Sequence, residues 1–253
     1  MKSFFAAVLL AAASCAAQVS APHVGIAGDS AGAVRPVLGI AGNFLEGEPL
    51  AVGAISSASS GEAVLIKTAS QVRALDTAGH ELAHAEVGGG PALFAFATGG
   101  APEFAWLPQG QTLLRRCPTG FCACRLSLRA VSGEVLSIGT ADRNHIDLAV
   151  SRNNALEILR VRLGDGAIAN TLRLPGAIGA PLLMPDGRIL YAVPGELVLR
   201  DARGEERHSA FPHAASSIAS MSAEWALVSA NGEGRRFAVR LADGAVSQIP
   251  EVR

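Results

Sequence analysis

One pattern recurs along the chain: a run of alternating apolar and polar residues reaches a glycine and then turns back. It occupies residues 72–81, 126–134, 158–166, 197–205 and 237–244. Alternation of this kind puts one side of a strand in a core. The glycine supplies the positive φ that a tight hairpin turn requires. The turn glycines Gly79, Gly133, Gly166, Gly204 and Gly244 follow one another at 54, 33, 38 and 40 residues. A spacing near 40 suits units of four short strands, which take about 40–45 residues each. The interval of 54 is read as carrying an insertion, and the third unit as lacking a full inner strand.

Two units can be read further upstream. Ala180-Pro181-Leu182-Leu183 leads into the turn Met184-Pro185-Asp186-Gly187, and Arg188-Ile189-Leu190-Tyr191-Ala192-Val193 follows as a second strand. Residues 216–223, followed by Glu224-Trp225-Ala226-Leu227-Val228-Ser229, repeat that arrangement. Four strands per unit, joined by turns, is the arithmetic of a propeller blade. The Met-Pro-Asp-Gly turn, the apolar strand after it and the Leu199-Arg200-Asp201-Ala202-Arg203-Gly204-Glu205 hairpin resemble the degenerate blades of secreted bacterial β-propellers. The resemblance covers roughly residues 48–253 and concerns architecture; the Trp-Asp signature of one large propeller subclass is absent. It implies an all-β fold, a small β-propeller with about five recognisable four-stranded blades. A β-sandwich or solenoid is the alternative, which the regular spacing disfavours. Residues 18–47, rich in Gly and Ala, match no full blade and are read as a tether or as the donor of a strand that closes the ring.

The amino terminus carries an export signal. Lys2 supplies a positive charge, residues 4–13 are apolar without a break, and small residues follow to Ala17. Basic start, short apolar segment and small-residue cleavage site form a secretory signal peptide. The run is shorter than the roughly 20 residues that span a bilayer. Cleavage after Ala17 releases a soluble chain; a lipoprotein-like box ending at Cys15 would instead leave that cysteine lipidated. The division expected is therefore 1–17 signal peptide, 18–47 Gly/Ala-rich segment and 48–253 propeller-like domain, located in the periplasm or outside the cell.

Net charge is −1, and arginines such as Arg73, Arg115, Arg116, Arg235 and Arg236 are scattered. No basic stripe exists to hold nucleic acid. Aromatic content is 5%, too little for extensive sugar-stacking platforms, so Trp106, Trp225 and Tyr191 are assigned to the core.

Two catalytic spellings occur. His80-Glu81-Leu82-Ala83-His84 matches the HExxH of zinc peptidases, in which a helix brings His80 and His84 to one metal and Glu81 acts as base. Here the pentapeptide follows a turn glycine, where the other copies continue into a strand. A strand rises about 3.3 Å per residue, so the two imidazoles would stand about 13 Å apart. Glu103, a distant third ligand in principle, has no helical setting. Gly28-Asp29-Ser30-Ala31-Gly32 matches the nucleophile elbow of esterases, GxSxG. An elbow needs a preceding strand, an earlier oxyanion loop and a following helix; almost no mature chain precedes this one, and Pro36 interrupts the helix.

Cys117, Cys122 and Cys124 lie close together. An exported chain favours a disulfide, Cys117 to Cys122 or Cys117 to Cys124, with one thiol left over. His145, Asp147, His208 and His213 form no constellation, and the histidines are read as exposed loop residues. No cofactor is expected. The function expected is a noncatalytic, monomeric binding or interaction scaffold for an unknown protein or small-molecule ligand, with a zinc peptidase using His80, Glu81 and His84 as the alternative.

Overall fold

The computed structural model describes residues 21–153, 155–231 and 234–250. Cys15 and the cleavage position at Ala17 lie outside the described residues. The described chain forms six antiparallel sheets, each a blade. Blade 1 has three strands, β1 (His23–Gly28), β2 (Val34–Ile40) and β3 (Asn43–Glu46). Blade 2 has β4 (Ser56–Ser59), β5 (Ala63–Lys67), β6 (Gln71–Asp76) and β7 (Glu81–Glu86). Blade 3 has β8 (Leu93–Phe96), β9 (Pro102–Leu107), β10 (Thr112–Cys117) and β11 (Gly120–Cys124). Blade 4 follows as β12 (Glu134–Thr140), β13 (His145–Arg152), β14 (Ala155–Arg162) and β15 (Ile168–Leu174). Blade 5 comprises β16 (Ile178–Leu183), β17 (Ile189–Val193), β18 (Glu196–Arg200) and β19 (Glu206–Ala210). Blade 6 comprises β20 (Ala215–Ser220), β21 (Trp225–Ala230), β22 (Arg236–Arg240) and β23 (Val246–Ile249).

The core consists of six apolar clusters, one at each seam between neighbouring blades. Val64 and Ile66 face blade 1, for example, while Leu65 between them faces blade 3. Each is fully buried, worth about 1.5–3 kcal/mol per side chain. A second strand is thus apolar on both sides, which is why β5 is a continuous buried run instead of an alternating one. The sixth cluster joins blade 6 to blade 1 through Trp225, Leu227, Met221, Val37 and Phe44, so the ring is closed. The protein is a six-bladed β-propeller.

Three expectations about the repeat are corrected. Residues 126–134 are not a hairpin. Leu126, Leu128 and Val131 are half-buried against the seam between blades 3 and 4, in a strap with no ladder partner. Their alternation records that packing. The turn glycine of blade 3 is Gly120, which places the turns at Gly79, Gly120, Gly166, Gly204 and Gly244, at intervals of 41, 46, 38 and 40 residues. No insertion is needed, and the third unit has its inner strand in β12.

Candidate functional site

The first strands of blades 2 to 6 converge on a central cavity of about 500 Å³. Its apolar wall includes Phe94 and Phe96 from β8, Leu182 and Leu183 from β16, Met184 after it, and Ile218 from β20. The mouth opens among the turns that follow these strands and is polar. There Ser60 Oγ donates to the Gly100 carbonyl at 2.6 Å, and Arg188 Nε donates to Asp186 Oδ2 at 2.6 Å. Arg188 Nη2 also reaches the Ala223 carbonyl at 3.4 Å, bridging blades 5 and 6. No local sequence pattern marks this site, because its parts come from five blades. A faint signal was present in the apolar residues of β8 and β16 standing beside turn motifs.

The HExxH residues occupy the rim of blade 2, on its outermost strand. His80 belongs to the turn, and Glu81–Glu86 is β7. Asp76 Oδ2 holds the His80 Nδ1 at 2.9 Å, and Glu81 Oε1 holds the His84 Nδ1 at 2.7 Å. Arg73 Nε donates to the other Glu81 oxygen at 2.7 Å, which with His84 draws the carboxyl below its ordinary range. All three side chains face solvent in ion pairs within the hairpin, and a strand does not give the i, i+4 convergence that zinc needs. Glu103 pairs with Arg115 at 2.8 Å on blade 3. Among the described residues no group of three or more His, Cys, Asp or Glu is placed to hold a metal ion.

Asp29–Gly32, spelled like an esterase elbow, is a hairpin turn between β1 and β2. Asp29 Oδ1 accepts from the N–H groups of Ala31 and Ala33, both at 2.9 Å. Asp76 does the same for Ala78 and His80, and Asp201 for Arg203 and Glu205. In all three, the N–H of the glycine three residues on returns to the aspartate carbonyl. Asp-x-x-Gly is the blade's own turn, and the aspartate is an acceptor for backbone donors. Those donors hold Asp76 and Asp201 below the ordinary carboxylate range.

Cys117 and Cys122 form a disulfide across β10 and β11. Cys124 is a half-buried free thiol whose pKa burial pushes up. His145 and His208 are strand residues, a correction to their assignment as loops: His145 pairs with Asp142, and His208 with Glu196. Asp147, also on β13, is bound by Arg160. His213 stacks on Phe237 with ring centroids 5.0 Å apart. Trp106, Tyr191 and Trp225 are buried. No helix among the described residues is long and apolar enough to cross a membrane.

Comparison with solved structures agrees with the ring. The chain resembles hydrazine synthase of Kuenenia stuttgartiensis with a TM-score of 0.51 at 10% identity, over 88% of this chain and 78% of that one. It resembles PorZ, a bacterial surface component of the type-IX secretion system of Porphyromonas gingivalis, with a TM-score of 0.50 at 12% identity, over 92% of this chain and 39% of that one. The Pan2 WD40 domain of Neurospora crassa aligns over 92% of this chain and 80% of that one, with a TM-score of 0.48 and 11% identity. At such identities the likeness concerns fold alone. No family model matches the sequence, and no curated protein matches it either.

Proposed function

We propose that the protein is an exported, noncatalytic binding scaffold whose ligand enters the central cavity with an apolar group. The observation that carries this is the cavity itself: about 500 Å³, walled by Phe94, Leu182, Met184 and Ile218 and ringed by polar groups. Pockets of this size with an apolar wall and a few polar groups at the mouth are the common form of ligand site. The ligand is a small apolar molecule or an apolar side chain that a partner inserts. The basic, apolar and small-residue order at the amino terminus and the Cys117–Cys122 disulfide both support an oxidising, extracytoplasmic location. Binding of an apolar naphthalene-sulfonate dye to the purified mature chain, and its displacement by candidate ligands, tests the cavity. Leu182→Asp is expected to weaken dye binding about ten-fold or more; equal binding by a folded Leu182→Asp chain would sink the reading.

A further inference from the structure

β1 runs the wrong way for an innermost strand. In the middle of β1, the Ile26 N–H donates to the Met221 carbonyl just after the end of β20, at 3.1 Å. A Cβ on Gly25 would meet that same carbonyl at 2.6 Å. Its last residue, Gly28, lies beside the beginning of β4, where a Cβ would be 2.4 Å from Ser57 Oγ. β1 is therefore antiparallel to β20 and β4, as each second strand is to its own innermost strand. Blade 1 supplies second, third and fourth strands, and among the described residues its innermost position is open. A cavity of about 360 Å³ lies there, between β1, the first half of β4 and β20. Register fixes the character of its wall. Ile26 faces Pro36 across the ladder; Pro36 has no N–H, so Ile26 turns its peptide groups away from β2, the N–H to Met221 and the carbonyl toward the open position. The Gly28 N–H points the same way, while its carbonyl accepts from Arg236 Nη1 at 3.5 Å.

We propose that this position accepts a short extended segment of a partner polypeptide, small in its side chains and uncharged, added antiparallel to β1. Strand addition at a sheet edge takes its affinity from main-chain hydrogen bonds and its specificity from side-chain fit. Here the fit demands small groups, because the cavity holds only about 360 Å³ and its walls stand close together, a Cβ on Gly28 lying 2.4 Å from Ser57 Oγ. The two flanking innermost strands obey the same limit, reading Ser-Ser-Ala-Ser in β4 and Ala-Ser-Ser-Ile-Ala-Ser in β20. Charge is balanced inside the wall, with Arg35 on Asp29 and Arg236 on Glu46, so a charged segment gains no partner. Met221 closes one end through Ile26; the segment enters from the other, beside Ser216 and Gly234, and only its leading residues are enclosed.

The test uses the mature chain and a capped hexapeptide with the sequence of β20, followed by calorimetric titration. Saturable binding is expected in the native chain, about ten-fold weaker in Ser57→Phe, which fills the cavity, and unchanged in Leu182→Asp. Absence of saturable binding at millimolar peptide overturns the proposal. So does binding that Leu182→Asp removes and Ser57→Phe spares, since the peptide would then sit in the central cavity. If Ser57→Phe does not fold, hydrogen exchange on the native chain decides. Peptide is expected to slow the Gly28 amide, and an unchanged Gly28 rate overturns the proposal.

Discussion

Arg236 Nη2 lies 2.6 Å from Glu46 Oε1, and both side chains are nearly excluded from solvent. The approach lacks hydrogen-bond alignment at that oxygen, so the contact is one of charge on charge across the seam between blades 6 and 1. Removing one partner strands a buried charge. Glu46→Gln or Arg236→Met is expected to cost about 3–5 kcal/mol in urea unfolding. The double change Glu46→Leu with Arg236→Met is expected to recover most of that loss. Single changes within about 1 kcal/mol of native would show that the apolar cluster alone holds the seam.

Gly166 and Gly164 sit in the same turn with positive φ but in different surroundings. A Cβ on Gly166 would lie 1.9 Å from the Ser127 carbonyl oxygen, whereas one on Gly164 would meet nothing within 4 Å. Gly164→Ala is expected to cost about 1 kcal/mol for the backbone alone. Gly166→Ala is expected to cost at least about twice as much, because the strap over residues 125–133 must move as well. Equal thermal midpoints for the two variants would contradict this.

Tyr191 is the sole tyrosine, and burial, aided by its hydrogen bond to Glu206, raises its pKa from 10.0 to about 12. The folded state keeps the phenol protonated where the unfolded state releases the proton. Stability from this group is therefore fully present below the unfolded value near pH 10 and falls as pH rises toward about 12. Phenolate absorbance is expected to show one transition, late in the native chain and near pH 10 in denaturant. Coincident transitions would mean that Tyr191 is solvated.

The Cys117–Cys122 bridge closes a small loop, with a sequence separation of 5. Chain-entropy arguments give such a loop about 2 kcal/mol. Reduction is expected to lower the urea midpoint by a matching amount while the circular dichroism of the folded chain persists. Cys124, its thiol pushed up by burial, is expected to alkylate slowly until the protein unfolds. Rapid alkylation in the native state would place it at the surface.

The repeat and its turns were legible because they are local. Asp76, Asp201 and their glycines carry the whole turn within five residues, and β16, β17, β20 and β21 stand where the spacing puts them. Residues 126–134 misled because packing without a ladder produces the same alternation as a strand. Gly120 lacks the Asp-x-x-Gly signature because Pro118 and the cysteines give its hairpin a different spelling. The central cavity was not legible: Phe94, Leu182 and Ile218 are brought together by the ring and by no pattern within a single blade. The direction of β1 was equally hidden, since a second strand and a first strand both read as short apolar runs.

Blades 1 and 6 adjoin without exchanging a strand among the described residues, and this has a mechanical meaning. In a ring whose ends interlock, tension on the chain is shared by backbone hydrogen bonds loaded in shear. Here a pull between His23 and Ile249 would load a greasy contact surface, the buried charges beneath it and the Ile26–Met221 backbone bond, which part like a clasp. The first event under force would be a hinge opening at that junction, with the other five joints still intact.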